Sequence, residues 1–223
     1  MNAIYHNTIE QCTLPWFEKR LGKMTGSKLD TIIDSKTGKL KSDTNKDDSL
    51  KTKTPILNAI AGIIAEIETG FSNDSDYTSE AMEWGNDNEP VRIEQIQQDE
   101  SFITGFVTND MFKYFGVSPD LLEGDQNAAT KGTEIKCPNS KTFALWVIKN
   151  ELPAQHIVQV MSYFVAMPTV ESVDFDMFDP RYSGKQSHTI TVKRSDNLEL
   201  IANIQQSLIE FDAMIDKYIQ LFK

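Results

Sequence analysis

Three residues in the stretch "GVSPDLLEGDQNAATKGTEIKCPNS" (116–140) are of types and at spacings that could do chemistry: Asp120, Glu134 and Lys136. Pro119 fixes its own backbone angle and restricts Ser118, which holds Asp120 at a strand end or in a turn. Glu134 and Lys136 stand two apart in an apolar run. On a strand both point to one face, and Ile135 between them points the other way, into a core. Paired strands would then bring Asp120 to Glu134 and Lys136 at one sheet edge. Neighbouring carboxylates repel unless a cation lies between them. Their oxygens, with a backbone carbonyl and waters, suit Mg²⁺ or Mn²⁺. A lysine beside them can orient or deprotonate a water and offset charge developing on a phosphate. Together these are the parts of metal-assisted phosphodiester hydrolysis. An acidic residue, any residue, then Lys arises about once by chance in a chain of this length. A second copy, Asp34-Ser35-Lys36, has no apolar strand around it. On spacing alone, a surface Glu–Lys pair on a half-exposed strand stays open as the other reading.

The elements that must position these residues follow from periodicity. "LPWFEKRLGKMTGSKLDTII" (14–33) reads as a short helix, a glycine turn and a second helix. Residues 36–54 are almost free of apolar side chains and read as an exposed polar loop, with Lys36, Lys39 and Lys41 as a candidate basic flap. Pro55 opens a helix whose core stripe is Ile56, Leu57, Ile60, Ile63, Ile64 and Ile67, with Gly70 as its stop. Another helix spans about 79–98, disturbed at "WGNDNEP". Strands are expected at Phe102–Val107, Tyr114–Val117 and Thr133–Cys137, then helices at 140–149 and 153–167, then strands at 170–178 and 188–192. The tail is a long amphipathic helix with Leu198, Ile201, Ile204, Leu208, Phe211, Ile215, Ile219 and Phe222 on its apolar stripe. This order predicts one α/β domain over 1–223, a mixed central sheet flanked by helices.

Composition sets bounds. The chain has 223 residues, 39% of them apolar and 25% charged, an ordinary globular balance long enough for a sizeable core. No apolar run approaches the ~18 residues of a membrane span, and "MNAIYHNTIEQ" lacks the pattern of a secretory signal. Cys12 and Cys137 make no disulfide framework, which fits a reducing cytoplasm, and two cysteines with three scattered histidines build no zinc site. The net charge of −11 argues against coating nucleic acid by bulk attraction, but not against a local site.

The pattern "GVSPDLL…GTEIKCP" resembles the central motif of the phage lambda exonuclease family, the YqaJ-type viral recombinases, within the PD-(D/E)xK restriction-endonuclease-like fold. Further blocks are similar to the family's in the same order: "WFEKRLGKMTGS" (16–27), "EWGNDNEP" (83–90), "HIVQVMSYFVAM" (156–167) and "FDPRY" (178–182). Three departures stand out. Leu121 replaces the family's Gly after SPD, and the spacer from 121 to 133 is longer than the short hairpin of lambda exonuclease. The basic loop after Ser27 has lysines but no arginine.

The resemblance implies roles. Asp120 and Glu134 are metal-binding carboxylates, the Ile135 carbonyl a further ligand and Lys136 the catalytic lysine. Glu89 supports the metal site and Gln159 contacts the scissile region or orients the water. Arg20 and Ser27 hold a 5′-phosphate, although Ser27 also reads as a helix N-cap. His156 is read as structural or peripheral, and Trp16, Trp84 and Trp146 as packing residues. The implied activity is a Mg²⁺-dependent 5′-to-3′ exonuclease on double-stranded DNA ends, with Mn²⁺ as a substitute, which releases mononucleotides and leaves 3′ single-stranded overhangs. The implied setting is a homotrimer ring, a single-strand annealing protein as partner, and a phage- or prophage-encoded enzyme in the host bacterial cytoplasm. A structure-specific or single-strand endonuclease on this fold, and a non-catalytic DNA-end-binding module, are the alternatives.

Overall fold

A computed structural model describes residues 2–44, 50–52, 54–72 and 79–223. Among them the strands are β1 (Ala3–Tyr5), β2 (Met24–Thr25), β3 (Ser42–Thr44), β4 (Leu50–Thr52), β5 (Ser101–Phe102), β6 (Val107–Asn109), β7 (Phe115–Val117), β8 (Leu121–Asp125), β9 (Ala128–Lys136), β10 (Ser172–Phe178) and β11 (Ser187–Lys193). The α-helices are α1 (Leu14–Arg20), α2 (Thr54–Thr69), α3 (Glu80–Ile96), α4 (Ser140–Lys149), α5 (Ile157–Ala166) and α6 (Leu198–Tyr218).

The expected mixed sheet has five strands in the order β11-β10-β9-β8-β5, with β9 and β10 parallel and the other pairs antiparallel. A second sheet, β1-β6-β7-β2, was not foreseen. The expected strand Phe102–Val107 is in fact divided between the two. β5 pairs with β8, and β6 pairs with β7. The chain crosses between sheets at Gly105, where a Cβ would lie 2.2 Å from the Ile9 carbonyl oxygen. Only glycine fits so close a backbone approach.

Other expectations also shift. The second helix of 14–33 is a short β2 strand and a 3₁₀ turn, Gly26–Thr31. The polar loop is anchored rather than free: Ile33 bridges Leu40, Gly38 is buried against α6, and Asn203 and Ser207 of that helix donate to the Thr37 and Gly38 carbonyls. β3 and β4 form a hairpin there, and 45–49 and 53 lie outside the described residues. Of the basic flap, Lys36 and Lys39 are exposed, while Lys41 donates to the Asp30 carbonyl. Helix α3 runs unbroken through "WGNDNEP", with Pro90 inside it. The α2 stripe buries Ile56, Ile60, Ile63 and Ile64 but leaves Leu57 and Ile67 exposed, and the tail stripe likewise leaves out Leu198 and Phe222, the latter in a 3₁₀ turn after α6. Gly70, at φ +72°, stops α2 as read.

The core cluster lies between the second sheet, one face of the five-stranded sheet and helices α2, α4, α5 and α6. α5 is buried at eight of its ten positions, as an apolar helix must be when it is covered on both sides.

Candidate active site

Asp120 sits where the chain leaves β7 in one sheet and enters β8 in the other. The long spacer after it is no loop. Residues 121–125 and 128–136 form an antiparallel hairpin closed by Gln126 and Asn127. A bulge between Glu123 and Gly124 absorbs one residue of register, and Gly124 takes φ +109° there. Leu121, in place of the family's glycine, is the first residue of β8, pairs with Thr133 and is buried. The departure is therefore accommodated as strand, not turn.

The hairpin brings the expected residues together. The Ile135 amide donates to Asp120 Oδ2 at 2.6 Å, so strand backbone fixes that carboxylate. Glu134 is 1% exposed. Its Oε2 accepts from the Tyr163 hydroxyl at 2.6 Å, and its Oε1 accepts from Gln159 Nε2 at 2.5 Å and from Lys136 Nζ. Lys136 Nζ also donates to the Ile135 carbonyl at 3.2 Å. Gly132, Glu134 and Lys136 alternate onto the α5 face of β9; a Cβ on Gly132 would lie 2.8 Å from Tyr163 Cδ2. Ile135 points to the opposite face and is buried, but it lies outside the main core cluster.

The electrostatics are those of a crowded carboxylate site. Burial, then Glu134, then Glu89 push Asp120 well above the usual carboxylate range, and Glu89 shares a side-chain hydrogen bond with it. For Lys136, burial works to lower the pKa, but the Glu134 and Asp120 carboxylates outweigh it and the net shift is upward. The lysine is therefore a cation at neutral pH. Burial, then Glu134, raises Tyr163, which keeps its proton on Glu134. Burial, then Glu89, push the Cys137 thiol up to about 12, which disfavours its thiolate.

Arg20 and Ser27 line one cavity with Thr25, Gly26, Ser118, Gln159 and Tyr163. Two of those residues also bond Glu134, so the cavity opens beside the carboxylates. Arg20 stacks on Trp16, its Cζ 3.9 Å from the ring centroid, and Nη1 donates to Ser118 Oγ at 3.1 Å. Ser27 is exposed, with Oγ 3.3 Å from Thr25 Oγ1. It is not an N-cap; Thr25 holds that position before the 3₁₀ turn. His156 is structural, one of its two readings: its ring packs against Trp146 and Phe175, and its Nδ1 lies 3.4 Å from Gln159 Oε1. Sequence reading missed Tyr163, Thr25 and Ser118. Tyr163 follows Gln159 by four residues on one helix face, a signal that was available.

An all-oxygen donor set of two carboxylates, a third nearby and a strand carbonyl fits a hard divalent cation. Among the described residues no three or more His, Cys, Asp or Glu side chains are arranged around a common point as such a site. Lys136 Nζ lies on both Glu134 and the Ile135 carbonyl. The donor chemistry of Asp120, Glu134 and the Ile135 carbonyl fits such a cation.

The fold is that of the PD-(D/E)xK nucleases. The model of the YqaJ-like viral recombinase domain matches residues 15–167, and the chain belongs to that family. Among solved structures, the alkaline exonuclease LHK-Exo from Laribacter hongkongensis, in complex with dAMP, is 27% identical, with 95% of this chain and 96% of that chain covered and a TM-score of 0.72. A second structure of that exonuclease gives 26% identity, 94% and 96% coverage and a TM-score of 0.73. A phage-related exonuclease from Haemophilus somnus 129PT shares the fold at 13% identity, with 90% and 96% covered and a TM-score of 0.53. No curated protein matches. Family and neighbours support a nuclease acting in recombination. Among the described residues no helix is long and apolar enough to cross a membrane.

Proposed function

We propose that this protein is a Mg²⁺-dependent exonuclease that digests the 5′-ended strand of double-stranded DNA, releases mononucleotides and leaves a 3′ overhang. The observation that carries the reading is the continuity of two features. The Asp120–Glu134–Lys136 cluster and the Arg20–Ser27 cavity share Gln159 and Tyr163. A terminal phosphate held by Arg20 and Ser27 would place the next phosphodiester toward the carboxylates.

Asp120, Glu134 and the Ile135 carbonyl would hold the metal, with Glu89 supporting Asp120. Bound there, Mg²⁺ would relieve the repulsion between the carboxylates and withdraw charge from the scissile phosphate. The chain's own residues do the remaining work. Lys136, charged at neutral pH, stabilises the developing negative charge and orients the attacking water; its raised pKa makes it a poor base while it stays on Glu134. Gln159 donates to Glu134 with one end of its amide while the other faces His156, which fixes its orientation. Arg20, flattened on Trp16, is pre-organised for an anion.

A ring of three copies threading DNA would let a chain of net charge −11 hold its substrate by enclosure. A single-strand annealing protein would take the overhang. Light scattering tests the ring; monomer alone counts against it.

The deciding experiment is hydrolysis of a linear duplex, labelled on one strand and bearing either a 5′-phosphate or a 5′-hydroxyl, beside a closed circle. Mononucleotide release from the 5′-phosphorylated strand, abolished by Lys136→Ala and absent on the circle, is expected. Cutting of the circle would favour an endonuclease. No Mg²⁺-dependent cutting with retained end binding would favour the binding module. Arg20→Ala should remove the preference for the 5′-phosphate, read as the ratio of kcat/KM on the two ends.

A further inference from the structure

Glu89 is carried by a helix with little apolar packing: its Trp84, Ile93 and Ile96 are only half-buried. No described residue of α3 is fully buried, whereas α5 beneath the other face of the sheet is buried at eight positions. Two arginine contacts add to this packing, and they bracket Glu89 along α3.

The first is three residues after Glu89. Arg92 donates from Nε to Asp176 Oδ1 at 2.7 Å and from Nη2 to Oδ2 at 3.0 Å. The two side chains are 14% and 3% exposed, so this is a forked pair largely out of water. Thr189 Oγ1 donates to the same carboxylate at 2.6 Å. Asp176 on β10 is the register partner of Ile135 on β9. Arg92 therefore fastens α3 beside the residue whose amide holds Asp120.

The second contact is five residues before Glu89 and gives the "FDPRY" block a role. Arg181 lies over the Trp84 ring, Cζ 4.0 Å from the centroid. Asp179, whose side chain is 0% exposed, holds that guanidinium at 2.7 and 2.9 Å, and the Pro138 carbonyl accepts from it at 3.3 Å. Trp84 Nε1 is buried with no hydrogen-bond partner among the described residues, so the stack is the polar anchor this ring has.

We propose that the Arg92–Asp176 pair and the stack of the Asp179-held Arg181 on Trp84 are two clasps that dock α3 on the sheet and set the position of Glu89 against Asp120, which makes Arg92 and Arg181 positioning residues. What Glu89 contributes to turnover rests on the nuclease reading; the docking of α3 does not.

The test combines amide hydrogen exchange with turnover in the full chain, for wild type, Arg92→Ala, Arg92→Lys, Glu89→Gln and the Arg92→Ala/Glu89→Gln double variant. Arg92→Ala should speed exchange across α3 at least tenfold while β9 stays protected. Turnover should fall to the Glu89→Gln level, and the double variant should fall no further. Arg92→Lys, which keeps the charge but loses the fork, should fold and lie between. Unchanged α3 protection in both Arg92 variants, additive turnover losses, or a Glu89→Gln enzyme as fast as wild type would each overturn the proposal. Should the wild type hydrolyse no DNA, the nuclease reading falls, and the exchange data alone still decide the clasps.

Discussion

The β8–β9 hairpin and helix α3 deliver carboxylates to the same site by different physics. The hairpin places Asp120, Glu134 and Lys136 through a backbone ladder, a closing turn and the Ile135 amide, all set by register. α3 places Glu89 through side chains, with no buried anchor among its described residues. A ladder holds position to within the pleat, because slipping it by one residue would turn every side chain to the wrong face. A clasped helix can shift without unfolding. The residues proposed to react lie on the rigid element, and the supporting carboxylate lies on the adjustable one.

The largest effect should come from breaking the rigid side. Glu134→Gln or Lys136→Met should lower kcat by about 10³-fold, roughly 4 kcal/mol of barrier. Glu89→Gln, on the adjustable side, should cost only about 10²-fold on the same scale. Single-turnover kinetics on a 5′-phosphorylated duplex measures both. Equal losses would mean that Glu89 is as central as the hairpin residues.

The same contrast explains what the sequence made legible. Glu134 and Lys136 were readable because a strand's period of two is local information, and α5 and most of α6 because apolar periodicity is too. The pairing within the 121–133 spacer was not legible because "EGDQNAATK" is polar, yet its backbone pairs and its outward positions need no apolar residue. The split of 102–107 between two sheets is invisible in a run of six residues; it is imposed by the close approach of Gly105 to Ile9. Asp176 and Arg92 stand 84 apart, so no spacing rule links them. Tyr163 could have been found from Gln159 by helical period, and Arg20 with Ser27 came from the resemblance alone.

A second break on the hairpin side is Gly132→Ala. The new Cβ would meet the Tyr163 ring at 2.8 Å and push away the hydroxyl that bonds Glu134. Overpacking of this kind costs about 1–3 kcal/mol, readable as a lower urea midpoint at unchanged m. Tyr163→Phe separates the two consequences. It leaves the packing and removes only the hydroxyl, at about 1–2 kcal/mol for a buried acceptor that keeps its other partners. If Gly132→Ala lowers turnover and Tyr163→Phe does not, backbone displacement, and not the lost hydrogen bond, disables Glu134.

The smallest effect sharpens the comparison from the α3 side. Pro90 is inside α3, next to Glu89, and has no N–H to offer the carbonyl four residues back. Its ring is exposed, so replacing it removes no core contact. Pro90→Ala should add one helical hydrogen bond and improve local propensity, for a gain of about 1 kcal/mol after allowing for the bend α3 already accommodates. If the clasps set the position of Glu89, a stiffer helix between them should raise the thermal midpoint by a few degrees and leave kcat within about twofold. A large change in kcat would mean that the proline, through the shape it gives the helix, positions Glu89 in place of the arginines.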